Sequence, residues 1–443
     1  MTSRAETQRG QVLALLLLVL AGLAGAFMYV FDSGQLAVAK LRAVGAADAA
    51  AYGAALWQAR TLNDEAYLNR AMVANEVAIA QSVSLRSWSA YVGRLLENAS
   101  TAASVIPPLG AALETVREGW AVADRGLRTA LPPLEAATSR WNVDVLSSAG
   151  EAAQRLSGPA AYAVASEIAR ANLPPDAGEP LLGMLEPANR LRWQAYTHRF
   201  GRQGDERLRF RAVVLDSRDS FSRRRTWTAG PSFLQLRKRG GTDLIGYDAW
   251  RGLDTLSLRE SLLFAHDEAP LAWGAVEQRR GYVRGRGDHG GSYRDNPRAS
   301  RYAEQSLDSR SGYMGLPAFR ELEGREAGPR NNGPTPLRIE VALREPAAVI
   351  GTSDRVLGHP ATQVPGESSR NFAPMFFRSG LRAMAAAQVE FARPVARADG
   401  HGELPSLFNP YWHARLVLPA RSQRFVVDAA EGAVANDSYG LLP

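Results

Sequence analysis

The chain of 443 residues contains no cysteine. This absence excludes disulfide bridges, thiolate zinc sites, iron–sulfur clusters and cysteine nucleophiles. The sequence also lacks H-E-x-x-H, G-x-S-x-G, a Walker loop and a dinucleotide-binding glycine fingerprint after a strand. We therefore predict a protein that uses no metal and no cofactor, and that is not an enzyme.

Histidine is scarce and scattered along the chain. The six histidines include no two with the spacing of a helical metal-binding pair. His266-Asp267 and Asp288-His289 are neighbours in sequence only, and they could perform acid–base chemistry only if folding brought the two pairs together. Clustering of these four residues around a concave pocket would favour the second hypothesis, a membrane-anchored envelope hydrolase.

The composition is that of a folded protein, with 46% hydrophobic and 22% charged residues. The chain is long enough for two or three domains with real cores. Its 52 basic and 45 acidic residues give a net charge of +7. A charge this modest tolerates acidic surfaces but requires none.

A long uncharged run lies near the N-terminus, between Val12 and Phe31. As a helix it spans about 30 Å, enough to cross the hydrocarbon core of a bilayer. Arg4 and Arg9 precede it and Asp32 follows it, so the positive-inside rule predicts a cytoplasmic N-terminus and a body on the other side. We predict a cytoplasmic tail over residues 1–10 and a transmembrane helix over residues 11–31.

Two further properties of this run affect the prediction. Ala24-Gly25-Ala26 is similar to a signal-peptidase site, so a cleaved signal peptide and a secreted soluble protein are an alternative. The apolar run continues beyond that point, which favours a permanent anchor. Gly22 and Gly25, with neighbouring alanines, would let another membrane helix approach closely.

The residues that flank the apolar run form a pattern. Arg9-Gly10 precedes it, Asp32 and Gly34 follow it, and residues 46–51 read Ala-Ala-Asp-Ala-Ala-Ala around Asp48. This arrangement, over about the first 60 residues, resembles the N-terminal domain of Tad (tight adherence, Flp-type) pilus-assembly proteins of the TadE/TadG-like kind. The positions that we expect to serve assembly are Arg9, Gly10, Gly22, Gly25, Asp32, Gly34 and Asp48.

The resemblance implies a bacterial inner-membrane protein that is an accessory or scaffold component of Flp pilus assembly or a related secretion machine. Its expected partners are other pilus or secretion-system membrane proteins and the lipid bilayer, with a polyanionic envelope glycan as a further candidate and no nucleic acid. Arginine-rich clusters at 223–225, 237–239 and 279–286 are interpreted as solvated polar surface, with a nucleic-acid surface as the less favoured alternative.

Two features depart from related proteins. Prepilins carry a glutamate where this chain has Leu15, so processing by a prepilin peptidase is not expected. Many TadG proteins carry a D-x-S-x-S metal motif, and the nearest candidate here runs from Asp216 to Ser220. Arg218 occupies a serine position of that motif, and its charge would oppose a divalent cation.

The predicted fold class is α+β, with a single N-terminal transmembrane helix, a helical stalk or bundle and then a β-rich module. Good helix formers predict a helical Tad-like region over residues 32–175. Gly34 and Gly45 are local weak points in it. Pro107-Pro108 and Pro132-Pro133 are expected to break it.

Residues 176–204 are expected to form a linker with a helix in residues 180–200, and residues 205–443 the extracytoplasmic β-rich module. Within that module, residues 281–330 are rich in glycine and arginine and predict a mobile loop. Alternating or apolar patterns predict strands at 207–212, 233–239, 270–277, 337–343, 387–391 and 412–418.

An aromatic cluster, Phe408-Asn409-Pro410-Tyr411-Trp412, lies near the C-terminus. It could seal the C-terminal segment onto the body or form an exposed docking patch. Because aromatic side chains bury large apolar areas, we favour packing.

Overall fold

The computed structural model describes residues 5–175, 186–201, 204–262, 265–322, 337–345 and 381–419. Its first element, α1, is one helix of 99 residues from Ala5 to Ala103, which corresponds to a length of about 150 Å. Gly34 and Gly45 lie inside this helix and do not interrupt it. The alanine-rich sequence and the absence of proline from α1 account for its continuity.

Three helical segments return along α1. They are α2 (Pro107–Arg140), a π-helix (Trp141–Leu146) and α3 (Ser147–Ala171). Pro107 begins α2, as predicted, because the first turn of a helix has no partner for the missing N–H. The expected break at Pro132-Pro133 is wrong, since both prolines lie inside α2. Pro133 is exposed, so water can reach the backbone carbonyl that the proline ring leaves without a donor.

The next elements are α4 (Glu186–Gln194), β1 (Thr197–Phe200), α5 (Asp205–Asp216) and α6 (Ser220–Arg223). The strand predicted at 207–212 is wrong, because these residues belong to α5. Arg207, Phe210 and Val214 are buried on one face of α5, at helical spacing. The guanidinium of Arg207 is buried because it donates hydrogen bonds to the carbonyls of Leu316 and Pro317.

A five-stranded sheet follows. Its strands are β2 (Trp227–Ala229), β3 (Leu234–Ile245), β4 (Ala249–Leu262), β5 (Ala265–Arg279) and β6 (Asp308–Ser311), in the order β2-β3-β4-β5-β6. The pairs are antiparallel except β5–β6, which is parallel. The strands predicted at 233–239 and 270–277 are confirmed within β3 and β5.

Residues 281–322 contain regular structure where a mobile loop was predicted. They include a 3-10 turn (His289–Gly291), α7 (Ser292–Asp295), α8 (Pro297–Gln305), β6 and β7 (Phe319–Leu322). Buried Ala299 and Ala303 on α8, together with Tyr313 and Leu316, supply the apolar contacts that order this segment. The predicted loop is therefore wrong for much of 281–322, and residues 323–330 lie outside the described residues.

A second sheet has three antiparallel strands in the order β10-β9-β8. They are β8 (Leu337–Glu345), β9 (Leu381–Phe391) and β10 (Trp412–Val417). The strands predicted at 337–343, 387–391 and 412–418 are confirmed. The protein is α+β, with a long apolar N-terminal helix and β-sheets.

Helix α1 belongs to both main cores. In the first core, alanines of α1 between 43 and 59 and Leu62 pack with α3, Trp193 and the three-stranded sheet. In the second core, residues of α1 between 72 and 83 pack with α5 and the five-stranded sheet. The two sheets are therefore stacked along one helix.

The five-stranded sheet lies close to α1 at Gly274 on β5. A Cβ atom at this position would lie 2.4 Å from the backbone nitrogen of Tyr91 and 2.5 Å from the carbonyl oxygen of Ser87. A second glycine, Gly252 on β4, faces the side chain of Ser87, with 2.8 Å between its Cβ position and Oγ. The absence of side chains lets the sheet and helix backbones touch.

Candidate membrane anchor and assembly surface

The N-terminal part of α1 extends away from the body. Its apolar side chains are exposed, and no part of its most apolar 18-residue window is buried inside the protein. Leu18 is 73% exposed and Phe27 is 76% exposed, although such side chains are strongly stabilised by leaving water. In the part of the chain that the structure describes, this is the one helix long and apolar enough to cross a membrane.

The assembly positions predicted from the sequence all lie on α1. Arg9 and Gly10 belong to its first turns. Gly22, Gly25 and Gly34 are open, because a Cβ atom at any of them would meet nothing within 4 Å. Gly22 and Gly25 lie on adjoining faces of α1 and leave room there for the backbone of another helix, whereas Gly34 lies on the opposite side.

The two predicted acidic positions mark the start of the body. Asp32 and Asp48 are both half-buried. Burial raises the pKa of the Asp48 carboxyl above its ordinary value. Asp48 lies beside Ala47 and Ala50, which are fully buried in the first core. The alanine-rich motif therefore packs the body onto α1, a structural role that its small residues suit.

Between the open glycines and the first core, α1 exposes an apolar collar that consists of Val38, Leu41 and Val44. Their exposed fractions are 52%, 73% and 36%. Lys40 and Arg42 lie among them and are also exposed. The collar extends the exposed apolar surface of α1 toward the body.

Farther along, α1 carries ionisable residues on its buried side. Glu76 is fully buried and accepts hydrogen bonds from Trp250 Nε1 at 2.8 Å, Tyr313 Oη at 2.7 Å and Asn142 Nδ2 at 3.1 Å. Burial raises the pKa of Glu76, and the three donors only partly offset that effect. Arg86 pairs with Glu135 at 2.8 Å.

The most complete buried cluster surrounds Asp254 on β4. Its carboxylate accepts hydrogen bonds from Arg225 at 2.8 and 2.7 Å, from Lys238 Nζ at 2.5 Å and from Ser87 Oγ on α1 at 2.5 Å. Burial opposes ionisation, but the two cations outweigh it and lower the pKa of Asp254. Two of the basic clusters interpreted as solvated surface thus each place one cation, Arg225 and Lys238, in the core.

A cleft of about 330 Å³ opens between the α5–α6 region, β3 and the 3-10 turn. Its lining includes three arginines and three aspartates: Arg218, Arg223, Arg224, Asp216, Asp243 and Asp288. His289 also lines it, with a left-handed φ of 39°. Burial lowers the pKa of His289 to about 4, so its ring is neutral at neutral pH.

The structure does not bring the two histidine–aspartate pairs together. The backbone of His289 lies beside Gly241 on β3, and Gly290 lies beside Gly240, which is opposite Asp254 in the β3–β4 register. The backbone of His266 pairs with Ser261 at the far end of β4. Seven residues of strand separate Ser261 from Asp254, about 23 Å. These residues do not form a catalytic cluster.

The segment that is similar to a metal motif has structural contacts instead. Arg218 donates to the carbonyl of Leu215 at 2.8 Å and also to that of Thr242. Asp219 caps α6 by accepting from the backbone nitrogen of Ser222. Among the described residues, no group of three or more His, Asp or Glu is placed to hold a metal ion.

Sequence reasoning missed the buried polar residues of α1 and their partners. Glu76 and Arg86 have polar neighbours in sequence and resemble surface residues of a helix. Their partners Trp250, Tyr313 and Asp308 lie far along the chain, and no local pattern indicates such contacts. Comparisons with models of protein families, with curated proteins and with solved structures found no match.

Proposed function

We propose that the protein is a membrane-anchored accessory or scaffold component of Flp (Tad) pilus assembly or a related bacterial secretion machine. It is held in the inner membrane by the first part of α1, with its N-terminus in the cytoplasm and its body outside. It acts through association with other membrane proteins of that machine, not through catalysis.

The continuity of α1 is the observation that carries this proposal. The same helix is wholly exposed where it is apolar and becomes the shared core helix of the body farther along. An exposed apolar rod of that length is stable in lipid and costly in water. Its continuation into both cores fixes the body to the bilayer without a flexible linker.

The exposed surfaces of α1 support association as the mode of action. Gly22 and Gly25 leave space for a neighbouring helix on one side of α1, and Gly34 lies on the other side, next to the apolar collar of Val38, Leu41 and Val44. Small residues let membrane helices approach closely, and van der Waals packing then holds them together. These glycines and the collar give the anchor exposed surfaces that it can present to a partner.

Membrane topology is the first test. A periplasm-specific reporter fused to the C-terminus should be active, and the protein should leave the membrane fraction only with detergent. A C-terminal reporter that is active in the cytosol, or release by salt or alkaline washes, would contradict the proposal.

The partner is the second test. A photo-crosslinking amino acid at Leu41 should capture another membrane protein of the pilus or secretion machine in cells, identified by mass spectrometry. The matched control is Leu208 on α5, which is 56% exposed but belongs to the body. Equal capture of the same protein from both positions, or capture only of unrelated proteins at Leu41, would contradict an assembly role for this face.

A further inference from the structure

A segment of the C-terminal part, residues 404–412, crosses α1 and is here called the strap. Asn63 on α1 donates from Nδ2 to the carbonyl of Trp412 at 2.9 Å, and its Oδ1 accepts from the Trp412 backbone nitrogen at 3.0 Å. Asn69 donates to the carbonyl of Leu407 at 2.7 Å. Leu407 and Trp412 are buried. Two asparagines of α1 therefore hold the two ends of the strap.

Glu65 lies between these two asparagines in the sequence of α1 and faces β7, where its neighbours are Arg320 and Glu321. It is only 2% exposed, and neither of its carboxyl oxygens has a hydrogen-bond partner among the described residues. The nearest cation is Arg320 on β7, whose Nε lies 3.8 Å from Oε1. That guanidinium donates instead to Thr197, at 3.0 Å to the carbonyl and 2.9 Å to Oγ1.

The cavity beside Glu65 is small. Its volume is about 10 Å³, and it is bounded by α1, α3 and β7. A space of that size holds about one water molecule. A carboxylate in such a place cannot recover the hydration that it has in bulk water, so the neutral acid is the form that the site accommodates.

The neighbouring carboxyl of Glu321 shows the contrast. It is also buried, but it accepts hydrogen bonds from Ser406 Oγ at 2.9 Å, from the Leu407 backbone nitrogen at 2.8 Å and from the Leu322 backbone nitrogen at 3.1 Å. Two of these donors belong to the strap. Glu321 thus binds the strap directly, and it repels a negative charge on Glu65.

Other charged groups surround Glu65 from the packed elements. They are Arg320 and Glu321 on β7, Glu151 on α3, Arg199 on β1, Arg209 on α5 and Asp64 on α1 itself. Arg199 pairs with Glu151, and Arg209 lies 3.6 Å from Glu321. Arg199 and Arg209 therefore interact with other acidic residues, and only Arg320 favours the ionised form of Glu65.

We propose that Glu65 is a pH-sensitive latch for the strap. The strap stays closed on α1 while the Glu65 carboxyl keeps its proton, and it opens when the proton leaves. Opening uncovers Leu407 and Trp412 and frees the N-terminal end of β10, an edge strand.

The direction of the response follows from linkage. Burial raises the pKa of Glu65 from an ordinary value of 4.5 to about 8 in the closed form. In the open form water reaches the carboxyl and the pKa returns toward its ordinary value. Closure of the strap is therefore fully favoured below the ordinary pKa of the Glu65 carboxyl, and it is lost as the pH rises through about 8.

Hydrogen exchange of the full chain in detergent or nanodiscs tests the latch. After correction for the intrinsic exchange rate, the strap amides of the wild-type protein should lose roughly tenfold protection or more between pH 6.5 and pH 9. Glu65→Gln and Glu65→Leu both remove the titrating group and should abolish this loss. Circular dichroism confirms that each variant is folded.

Glu97→Gln is the matched control, because Glu97 is an exposed carboxylate on the same helix. It should leave the pH response of the strap unchanged. The latch is overturned if the wild-type strap keeps equal protection at both pH values. It is also overturned if the folded Glu65→Gln and Glu65→Leu proteins still lose protection as the wild type does.

Discussion

The two parts of α1 share one backbone conformation but face different surroundings. Residues 11–38 expose apolar side chains and contact little of the body, whereas residues 39–103 pack against helices and both sheets. Between Val12 and Phe31 the first part carries no charged residue, while the second part buries Glu65, Glu76 and Arg86. Helix propensity alone is therefore enough to continue the helical backbone through both parts. The side chains determine whether each part is stable in lipid or in the packed body.

The largest effect on stability is expected in the body, at the buried ion cluster around Asp254. Asp254→Ala removes the acceptor shared by Arg225 and Lys238 and leaves two buried cations unpaired. The folded state should lose about 3–5 kcal/mol, the range for breaking a buried ion pair, as measured by chemical denaturation. Asp267→Ala is the control, because Asp267 is exposed at 68% and its ion pair with Arg298 is at the surface; its effect should be below about 1 kcal/mol.

A charged residue in the apolar part of α1 should weaken membrane insertion without lowering the stability of the body. Leu18→Arg places a cation near the middle of the apolar run and should disfavour insertion by about 2.5–3.5 kcal/mol. We expect a smaller membrane fraction in cell fractionation, with an unchanged denaturation curve for the body. Leu18→Phe is the control, since it keeps the segment apolar. Unchanged membrane association of Leu18→Arg would remove the distinction between the two parts of α1.

The contact between α1 and the five-stranded sheet gives a smaller effect. Gly274→Ala adds a Cβ atom against the backbone of Ser87 and Tyr91, so helix and sheet must separate. Overpacking of this kind costs about 1–3 kcal/mol, to be measured by chemical denaturation. Gly281→Ala is the control, because nothing lies within 4 Å of its Cβ position.

The smallest expected effect has the opposite sign. Gly45→Ala lies on an open surface of α1, where an added Cβ meets nothing within 4 Å. Alanine should stabilise the helix by about 0.5–1 kcal/mol, because glycine is a poor helix former. Thermal unfolding measures the change. A loss of stability would indicate that this part of α1 packs against something in the intact protein.

The sequence predicted the parts of the fold that have a local signal. The apolar run at 12–31 and the alternating patterns of β8 and β10 are such signals, and they predict the helix and the strands that the structure contains. The pattern Arg207-Leu208-Arg209-Phe210-Arg211 predicts a strand but forms α5, because the alternation assigns Arg207 to the surface whereas the structure buries it. Its stabilising carbonyls, on Leu316 and Pro317, lie more than a hundred residues away.

The candidate assembly face could also be read from the sequence, because it depends on glycines of a single helix. The strap and the role of Glu65 could not be predicted from the sequence. Asn63, Glu65 and Asn69 look like ordinary polar residues of a helix, and nothing local pairs them with Trp412 and Leu407. Long-range packing decides which polar residues become buried, and a pattern along one chain segment does not contain that information.

The unbroken course of α1 has a mechanical consequence. From Phe31 to Ala103 the helix rises about 108 Å, and it contains no proline that would kink it. A 10° change in the tilt of the anchor would therefore swing the far end sideways by about 19 Å. Because both sheets pack on this helix, a neighbouring protein that changed the tilt of the anchor within the bilayer would move the whole body.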